Sequence, residues 1–569
     1  MGIADKTNVK LRQEKATPLA QAEVDGNFQE IRNVIDDVVQ VDTDLGTYVL
    51  ANDQRVTNVE TDLDTKVKVF DTVTLMKAAS LSSGDLVTTK GYHEAGDGGQ
   101  ARYLVQTAIE FGSTPDEYGS HTLANGNVAV LQVEGAVNVK QFGAGNNNAV
   151  ALMKADEFAH DKHIPITGTG FFVLSEPILL RNYFIDFRAL EFQIEPNFGH
   201  DVAITYQALE NNLEAKSFVS ISIKGNREQQ NTPVTAFKVV NTPNGHSEIE
   251  VIGADCNTLC HVTNNTERNV YRIYAHFCDI AVLDGDPTVS GSPDTNLFYI
   301  NGGRCLQFYK KISSTTSHVV FNVQSQEETN LANDKAAIEI RRGRATTLSG
   351  ELRGMVSKAM LILDEQLASS HFVQFSGLTF QGGGASGEPI IEVVNYNRIL
   401  GRVIFNAPNS RAMDIKECGF VNLDTYVFNS DYVGSYIKLG NFSEGKSVSG
   451  SIEIDTVGSV AGAYLVEIDH AGGLDIKQEG SNVPIKINST VNNDTLTISI
   501  NRGYIINQIP IENPGNVRTD IGVRGLFTSS AILGYQHPIR GMKAYSLNTN
   551  SLCFYNGSTW QAPTTTTLT

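Results

Sequence analysis

Three places in this 569-residue sequence carry residue types that do chemistry. The first is "GNFSEGKS", Gly440 to Ser447, which matches the G-x4-G-K-[ST] pattern of a phosphate-binding loop letter for letter. Such a loop works because a strand leads into it and a helix leaves it, so that backbone N–H groups and the helix end face the phosphate. Here "YIKLG" supplies the strand, but "VSGSIEIDTV" alternates apolar and polar residues and reads as another strand, so the match is a turn. The second place is Cys256-x3-Cys260-His261, half of a metal site. No second pair follows at ligand spacing, and neither a metal nor any other cofactor is expected. The third is a series of turn residues, Asp255, Asp279, Arg304, Glu327 and Glu328, with Tyr274 and His276 beside them on the outward positions of a strand. Two carboxylates facing one another are what general acid–base chemistry needs. Exposed turns of an acidic protein carry Asp and Glu as solvated charges in any case, and spacing alone does not separate the two.

The elements holding that third series repeat. "HSEIEVIGADCNTLCHVTNN", "RNVYRIYAHFCDIAVLDGD" and "TNLFYINGGRCLQFYKKI" are each a short alternating strand, a small-residue turn and a second short strand. The pattern runs for about 300 residues with a period of about 22 to 28, the range of coil-by-coil solenoids. One such coil cannot bury its own apolar face, so the coils must stack. Strands without a leucine-rich consensus favour a parallel β-helix, and about twelve coils spaced ~4.8 Å apart would extend roughly 60 Å. Its open ends need capping. The stretch "VNVKQFGAG", Val137 to Gly145, precedes the only helix-like run in this region. Asn148 suits its N-cap, and Ala151, Leu152, Ala155, Phe158 and Ala159 form one apolar face. Val137, Val139 and Phe142 read as a strand, and the helix as the cap.

Before the repeats, residues 31 to 67 carry a heptad: Ile35, Val49, Val56 and Leu63 at one seam position, Val38, Leu45 and Val59 at the other. Asp42, Asn52 and Lys66 are polar exceptions in the seam, and Asp36, Asp37, Asp44, Asp53, Arg55 and Glu60 lie off it. Five such heptads predict a coiled coil about 55 Å long whose partner is another copy of the chain. Between heptad and repeats, "GDLVTTKGYHEAGDGGQARYLV" reads as strands and glycine turns. Its "GDGG" is turn chemistry, since no helix comes after it to complete a phosphate cradle. After the repeats, "SVSGSIEIDTVGSVAGAYLVEIDH" and the residues beyond it, to about 515, alternate as several strands and read as a β-sandwich.

Composition limits the function classes. A hydrophobic content of 41% and a charged content of 19% are globular values, and 50 glycines against 16 prolines suit many short strands. The net charge of −19 argues against nucleic acid as a partner. The N-terminal "MGIADKTNVKLRQEK" lacks the apolar core of a signal peptide, and no apolar run is long enough for membrane insertion. The six scattered cysteines read as reduced core thiols.

Together these pieces resemble a family. "VNVKQFGA" followed by a capping helix is similar to the entry into the pectate-lyase-like, right-handed parallel β-helix of bacteriophage tailspikes. "ATPLAQAEVDGNFQEI" resembles the segment by which tail fibres and spikes attach to the virion, and "GMKAYSLNTNSLCFYNGSTW" resembles short C-terminal motifs of tail proteins. The family's entry motif continues Gly-Asp-Gly-x-x-Asp-Asp-Thr, whereas this chain has Gly145-Asn146-Asn147-Asn148-Ala149-Val150, with Asn148 left to cap the helix.

The organisation then expected is mainly β. Residues 1–30 form a virion-attachment segment, 31–68 a trimeric coiled coil and 69–135 a small β domain. Residues 136–435 form the β-helix with its capping helix, 436–515 a β-sandwich-like domain and 516–569 a C-terminal β tail. The resemblance implies a homotrimer, assembled in the host cytoplasm and carried on the virion tail or baseplate, that recognises host bacterial surface polysaccharide and depolymerises it. A non-enzymatic receptor-binding fibre on the same scaffold is the alternative, and a free polysaccharide lyase a third reading. For hydrolysis the candidate pair is Asp279 with Glu327, two coils and roughly 10 Å apart, with Asp255 and Glu328 next to them. Tyr274, His276 and Arg304 are the expected sugar-binding residues. Elimination using Tyr, His or Arg stays open beside hydrolysis.

Overall fold

In the computed structural model the heptad segment is one continuous helix, Gln21–Lys66. The structure describes residues 21–207, 217–240, 247–263, 268–286, 295–313, 316–324, 336–355, 358–364, 371–382, 388–440, 449–457, 463–468, 474–479, 485–487, 495–501, 511–512, 518–527, 543–546, 551–555 and 558–561. The chain divides into two units, residues 1–132 and 133–569. In the first, the helix begins inside the segment expected to serve attachment and ends two residues short of the expected boundary. Ile31, Ile35, Val38, Leu45, Val49 and Val56 all stand exposed along it. Val39, Val41, Tyr48 and Leu50, off the heptad positions of this 46-residue helix, are exposed as well.

Behind the helix comes a five-stranded sheet. Its order is Val67–Phe70, Leu86–Thr89, Ala101–Gln106, Val128–Gln132 and Ser120–Thr122, the first pair parallel and the rest antiparallel. The "GDGG" turn is closed by its own aspartate. The Asp97 carboxylate accepts backbone N–H bonds from Tyr92, His93, Glu94 and Gly99 at 2.7–3.2 Å. Burial works against its charge, yet those donors hold the carboxyl below the ordinary range. The donors that a phosphate would need are thus already used.

The second unit opens with the strand Val137–Asn138, and here the expectation of a longer strand is corrected. Val139–Phe142 forms a 3-10 turn in which Asn138 accepts from the Lys140 N–H and Gln141 accepts from the Asn138 N–H. Val139 and Phe142 are both buried in it, whereas a strand would point residues three apart to opposite faces. The helix Ala149–Lys162 follows, and Asn148 caps it by accepting the Ala151 N–H at 3.1 Å. Ala151, Leu152, Ala155 and Ala159 form its buried face, and Phe158 lies 5.3 Å from the Phe142 ring. Asp156 is buried with them, accepting N–H bonds from Arg181 (2.6 Å) and Asn182 (3.2 Å) at the start of the first coil.

From there two parallel ladders alternate along the chain as a right-handed β-solenoid. The first runs through Phe184–Ile194, Phe218–Lys224, Glu248–Ala254, Val270–His276, Asn296–Gly303 and Thr316–Gln324. It continues through Ala345–Arg353, Phe372–Gln381, Arg398–Asn406 and Phe420–Phe428. The second has fourteen strands among the described residues, from Ile178–Leu180 to Ile511–Glu512. Inward positions stack in columns: Ile185, Val219, Ile249, Tyr271, Phe298 and Val319 follow one another from coil to coil, each 0–1% exposed. Tyr271 stacks on Phe298 at 4.8 Å, a contact that adds about 0.5–1.5 kcal/mol beyond burial.

The sandwich expected over 436–515 is corrected. Ser449–Val457, Leu474–Glu479, Thr495–Asn501 and Arg518–Phe527 pair in parallel with the coil before them, so they prolong the first ladder rather than forming antiparallel sheets. Alternating strands between polar turns look alike in both folds, and only the pairing direction tells them apart. Antiparallel pairing in this unit is confined, among the described residues, to the end: Lys543–Ser546 with Ser551–Tyr555, and that strand with Trp560–Gln561.

Candidate functional site

The corners that join the first ladder to the second place most of the candidate residues. Three successive corners are only three residues long, Asp255 to Asn257, Phe277 to Asp279 and Arg304 to Leu306. Each opens on a left-handed residue, Asp255, Phe277 or Arg304, with φ of 58°, 55° and 56°.

Asp255 and Asp279 do converge, but on a cation. Arg227, from the preceding corner, reaches Asp255 at 3.6 Å and Asp279 at 3.2 Å, and the Asn257 amide donates to the other Asp279 oxygen at 2.9 Å. Burial raises the Asp255 carboxyl above the ordinary range, with Arg227 pulling the other way. This arrangement ties three corners together. Both oxygens of the Asp279 carboxylate are thus engaged, one by Arg227 and the other by Asn257. Glu327 and Glu328 lie outside the described residues, as do residues 441–447 of the phosphate-loop match. The element after that match is the strand Ser449–Val457, not a helix. Cys260 is buried, and His261 bonds the Gly285 carbonyl at 2.9 Å. No three His, Cys, Asp or Glu side chains group as metal ligands among the described residues.

Tyr274, His276 and Arg304 come together. They line an open groove of about 530 Å³ with Phe277, Asn301, Gly302, Gly303, Asn322 and Gln324. The register explains it: Tyr274, Asn301 and Asn322 form one outward column and His276, Gly303 and Gln324 the next. Gly303 leaves a gap between two longer side chains. Beneath it Gly302 adopts φ 150°, and a Cβ there would stand 1.9 Å from the Ala275 oxygen. The Asn322 amide donates to Asn301 at 3.2 Å, Arg304 lies 5.3 Å over the Phe277 ring, and Tyr274 and Phe277 stay 37% and 41% exposed. Exposed ring faces beside neutral amides can stack on a sugar and hydrogen-bond its hydroxyls. No carboxylate lines this groove among the described residues.

A second groove of about 630 Å³ lies farther along the same ladder and was not foreseen. A bulge at Gly377, which lines it, shifts the register of Phe372–Gln381 against both neighbouring strands. Its walls carry Arg402, Asn422, Asp424, Ser451 and Glu453. Arg402, Asp424 and Glu453 are register partners on three adjacent strands and share one outward column. Arg402 sits 3.7 Å from Asp424 and 4.4 Å over the Tyr426 ring. Burial, and then the neighbouring Asp424, raises the Tyr426 hydroxyl. Adjacent strands lie about 4.8 Å apart, so Asp424 and Glu453 occupy neighbouring rungs of that column. Their signal in the sequence is faint, because outward acids occur on many strands and these two stand 29 positions apart.

No family model matches the sequence, and no curated protein matches it. Solved structures to which the chain is similar include phage tailspikes. The gp42 tailspike of an Acinetobacter phage superposes with a TM-score of 0.43 at 11% identity, over 81% of this chain and 75% of that one. Tailspike protein gp49 from Acinetobacter baumannii bacteriophage Fri1, a capsular polysaccharide depolymerase, gives 0.32 at 12% over 80% and 75%. Full-length tailspike protein 2 from an Escherichia coli O157:H7 bacteriophage gives 0.35 at 12%, over 84% of this chain and 57% of that one. The likeness is one of fold.

Proposed function

We infer that this chain is a tailspike which binds bacterial surface polysaccharide along the exposed face of its first ladder and depolymerises it during adsorption. The observation that carries the reading is the Tyr274–His276–Arg304 groove, whose exposed rings and neutral amides suit an extended, weakly charged glycan. The open seam of Gln21–Lys66 supports assembly as a homotrimer, and the sequence of residues 16–31 supports attachment to a tail or baseplate protein. For cleavage, Asp424 and Glu453 stand one strand spacing, about 4.8 Å, apart along their column, near the separation at which glycosidases retain configuration. Asp424, ion-paired with Arg402, is the nucleophile in this reading, and Glu453 protonates the leaving oxygen.

A specific observation favours the second reading, a spike that binds without cutting: Asp255 and Asp279 are engaged by Arg227, and the first groove lacks a carboxylate among its described residues. Sizing host capsule or lipopolysaccharide after incubation with the purified chain decides between them. Asp424→Asn and Glu453→Gln should each lower oligosaccharide release by two or more orders of magnitude while binding persists. Release at the parent rate by both variants overturns this pair and returns attention to Asp279 with Glu327. A parent that binds its host glycan and releases nothing leaves the binding-only spike.

A further inference from the structure

Three cysteines are stacked beneath the rim of the first groove. Cys256, Cys278 and Cys305 are each the middle residue of one of the three-residue corners, and each is buried, 0–1% exposed. The strands on both sides of these corners are in register. Ala254, His276 and Gly303 are partners in the first ladder, and Thr258, Ile280 and Gln307 in the second. Corners of equal length between strands in register bring their middle residues into register too, with Cα atoms about 5 Å apart. That lies within the roughly 4.4–6.8 Å at which disulfides form.

The local contacts repeat with the backbone. Each thiol donates to the carbonyl two residues before it: Cys256 to Ala254 and Cys278 to His276 at 3.3 Å, Cys305 to Gly303 at 3.7 Å. Cys278 has one of the outer two thiols as a neighbour on either side. Those neighbours and the nearby Arg227 work to lower the Cys278 thiol, while Cys278 itself and burial raise the outer two. Cys278 is thus the one thiol of the column with a potential resolving thiol on each side.

We propose that this column is a redox site, at which a small hydroperoxide oxidises Cys278 and either Cys256 or Cys305 closes a disulfide that staples two successive coils. In the first step the Cys278 sulfur attacks the peroxide, the O–O bond breaks, an S–O bond forms and the other oxygen leaves as water or an alcohol. In the second, the neighbouring sulfur displaces the Cys278 oxygen as water, carrying off its own proton, and the S–S bond forms. Two thiols thereby give two electrons and two protons to one peroxide. The third thiol stays reduced and can exchange into the bond, so the staple moves between the two coil junctions. Phe277 and Arg304, on the rim of the groove, ride on the corners it joins. The proposal does not depend on what the groove binds.

The full chain, treated with hydrogen peroxide and quenched, is read by intact mass, thiol titration and non-reducing peptide mapping. The expected product has lost two hydrogens, titrates four thiols in place of six, and links Cys278 to Cys256 or Cys305 until a dithiol reductant reverses it. Cys278→Ser should lose no thiols. Because that is a core substitution, the neighbours are tested beside it. Cys256→Ser or Cys305→Ser alone still bridges Cys278 to the one remaining, and the double variant does not. The proposal is overturned if the parent keeps six thiols, if Cys278 runs on to sulfinic acid without a crosslink, if the bond maps to Cys260, Cys418 or Cys553, or if the double variant loses two thiols as readily as the parent.

Discussion

Asp284 and Lys311 form a fully buried ion pair inside the solenoid, and it shows how individual residues here divide between stability and function. Lys311 donates to Asp284 at 3.0 Å, and the Tyr309 and Ser317 hydroxyls donate to the same carboxylate oxygen at 2.5 and 2.7 Å. Removing one member leaves the other charged and dry. Lys311→Met should cost about 3–5 kcal/mol in denaturant unfolding, and adding Asp284→Leu should recover most of the loss. A single variant as stable as the parent would show that the pair does not carry that weight. Nothing local to Asp284 in the sequence announces that a lysine 27 positions later will meet it inside. The same limit hid Arg227, which decides what Asp255 and Asp279 can do. Tyr274, His276 and Arg304 were legible for the opposite reason: strand alternation and a three-residue corner place them together from local spacing alone.

The helix Ala149–Lys162 sets the pH behaviour of the element that opens the solenoid. Burial raises its Asp156 carboxyl to about 7, although the Arg181 and Asn182 N–H groups favour the charge. An unfolded aspartate titrates near 3.8. Between those values the folded chain keeps a proton that the unfolded chain has lost, so this contribution is complete below 3.8, falls as pH rises and is gone above about 7. Asp156→Asn removes that slope. The stability difference between variant and parent should move by on the order of 2–3 kcal/mol from pH 5 to pH 8, in the variant's favour at the higher pH. Equal slopes in equilibrium unfolding would mean the carboxyl is already charged at pH 5. This helix, its Asn148 cap and its apolar face were readable because capping and 3.6-residue periodicity are local. The 3-10 turn before it was not, since Val137 and Val139 alternate as in a strand and the Asn138–Gln141 capping box that closes the turn has no periodic signal. The false sandwich arose in the same way, from strands whose alternation carries no pairing direction.

At the scale of the molecule, a 46-residue helix with an open seam calls for copies of itself. The expected state is a parallel homotrimer, so light scattering should give about three times 61.8 kDa. A monomer or dimer mass would sink it. Assembly and glycan recognition rest on different parts of the chain, and the central claim concerns the second: the exposed face of the first ladder is a polysaccharide-binding surface. The most direct measurement is a titration of the parent and Tyr274→Ala against purified capsular and O-antigen polysaccharides. For a glycan that the parent binds, losing one stacking ring should weaken binding about tenfold, a little over 1 kcal/mol, with unchanged unfolding and oligomeric mass. If Tyr274→Ala, and the double variant with His276→Ala, both bind that glycan as tightly as the parent does, the polysaccharide lies elsewhere and the account is wrong.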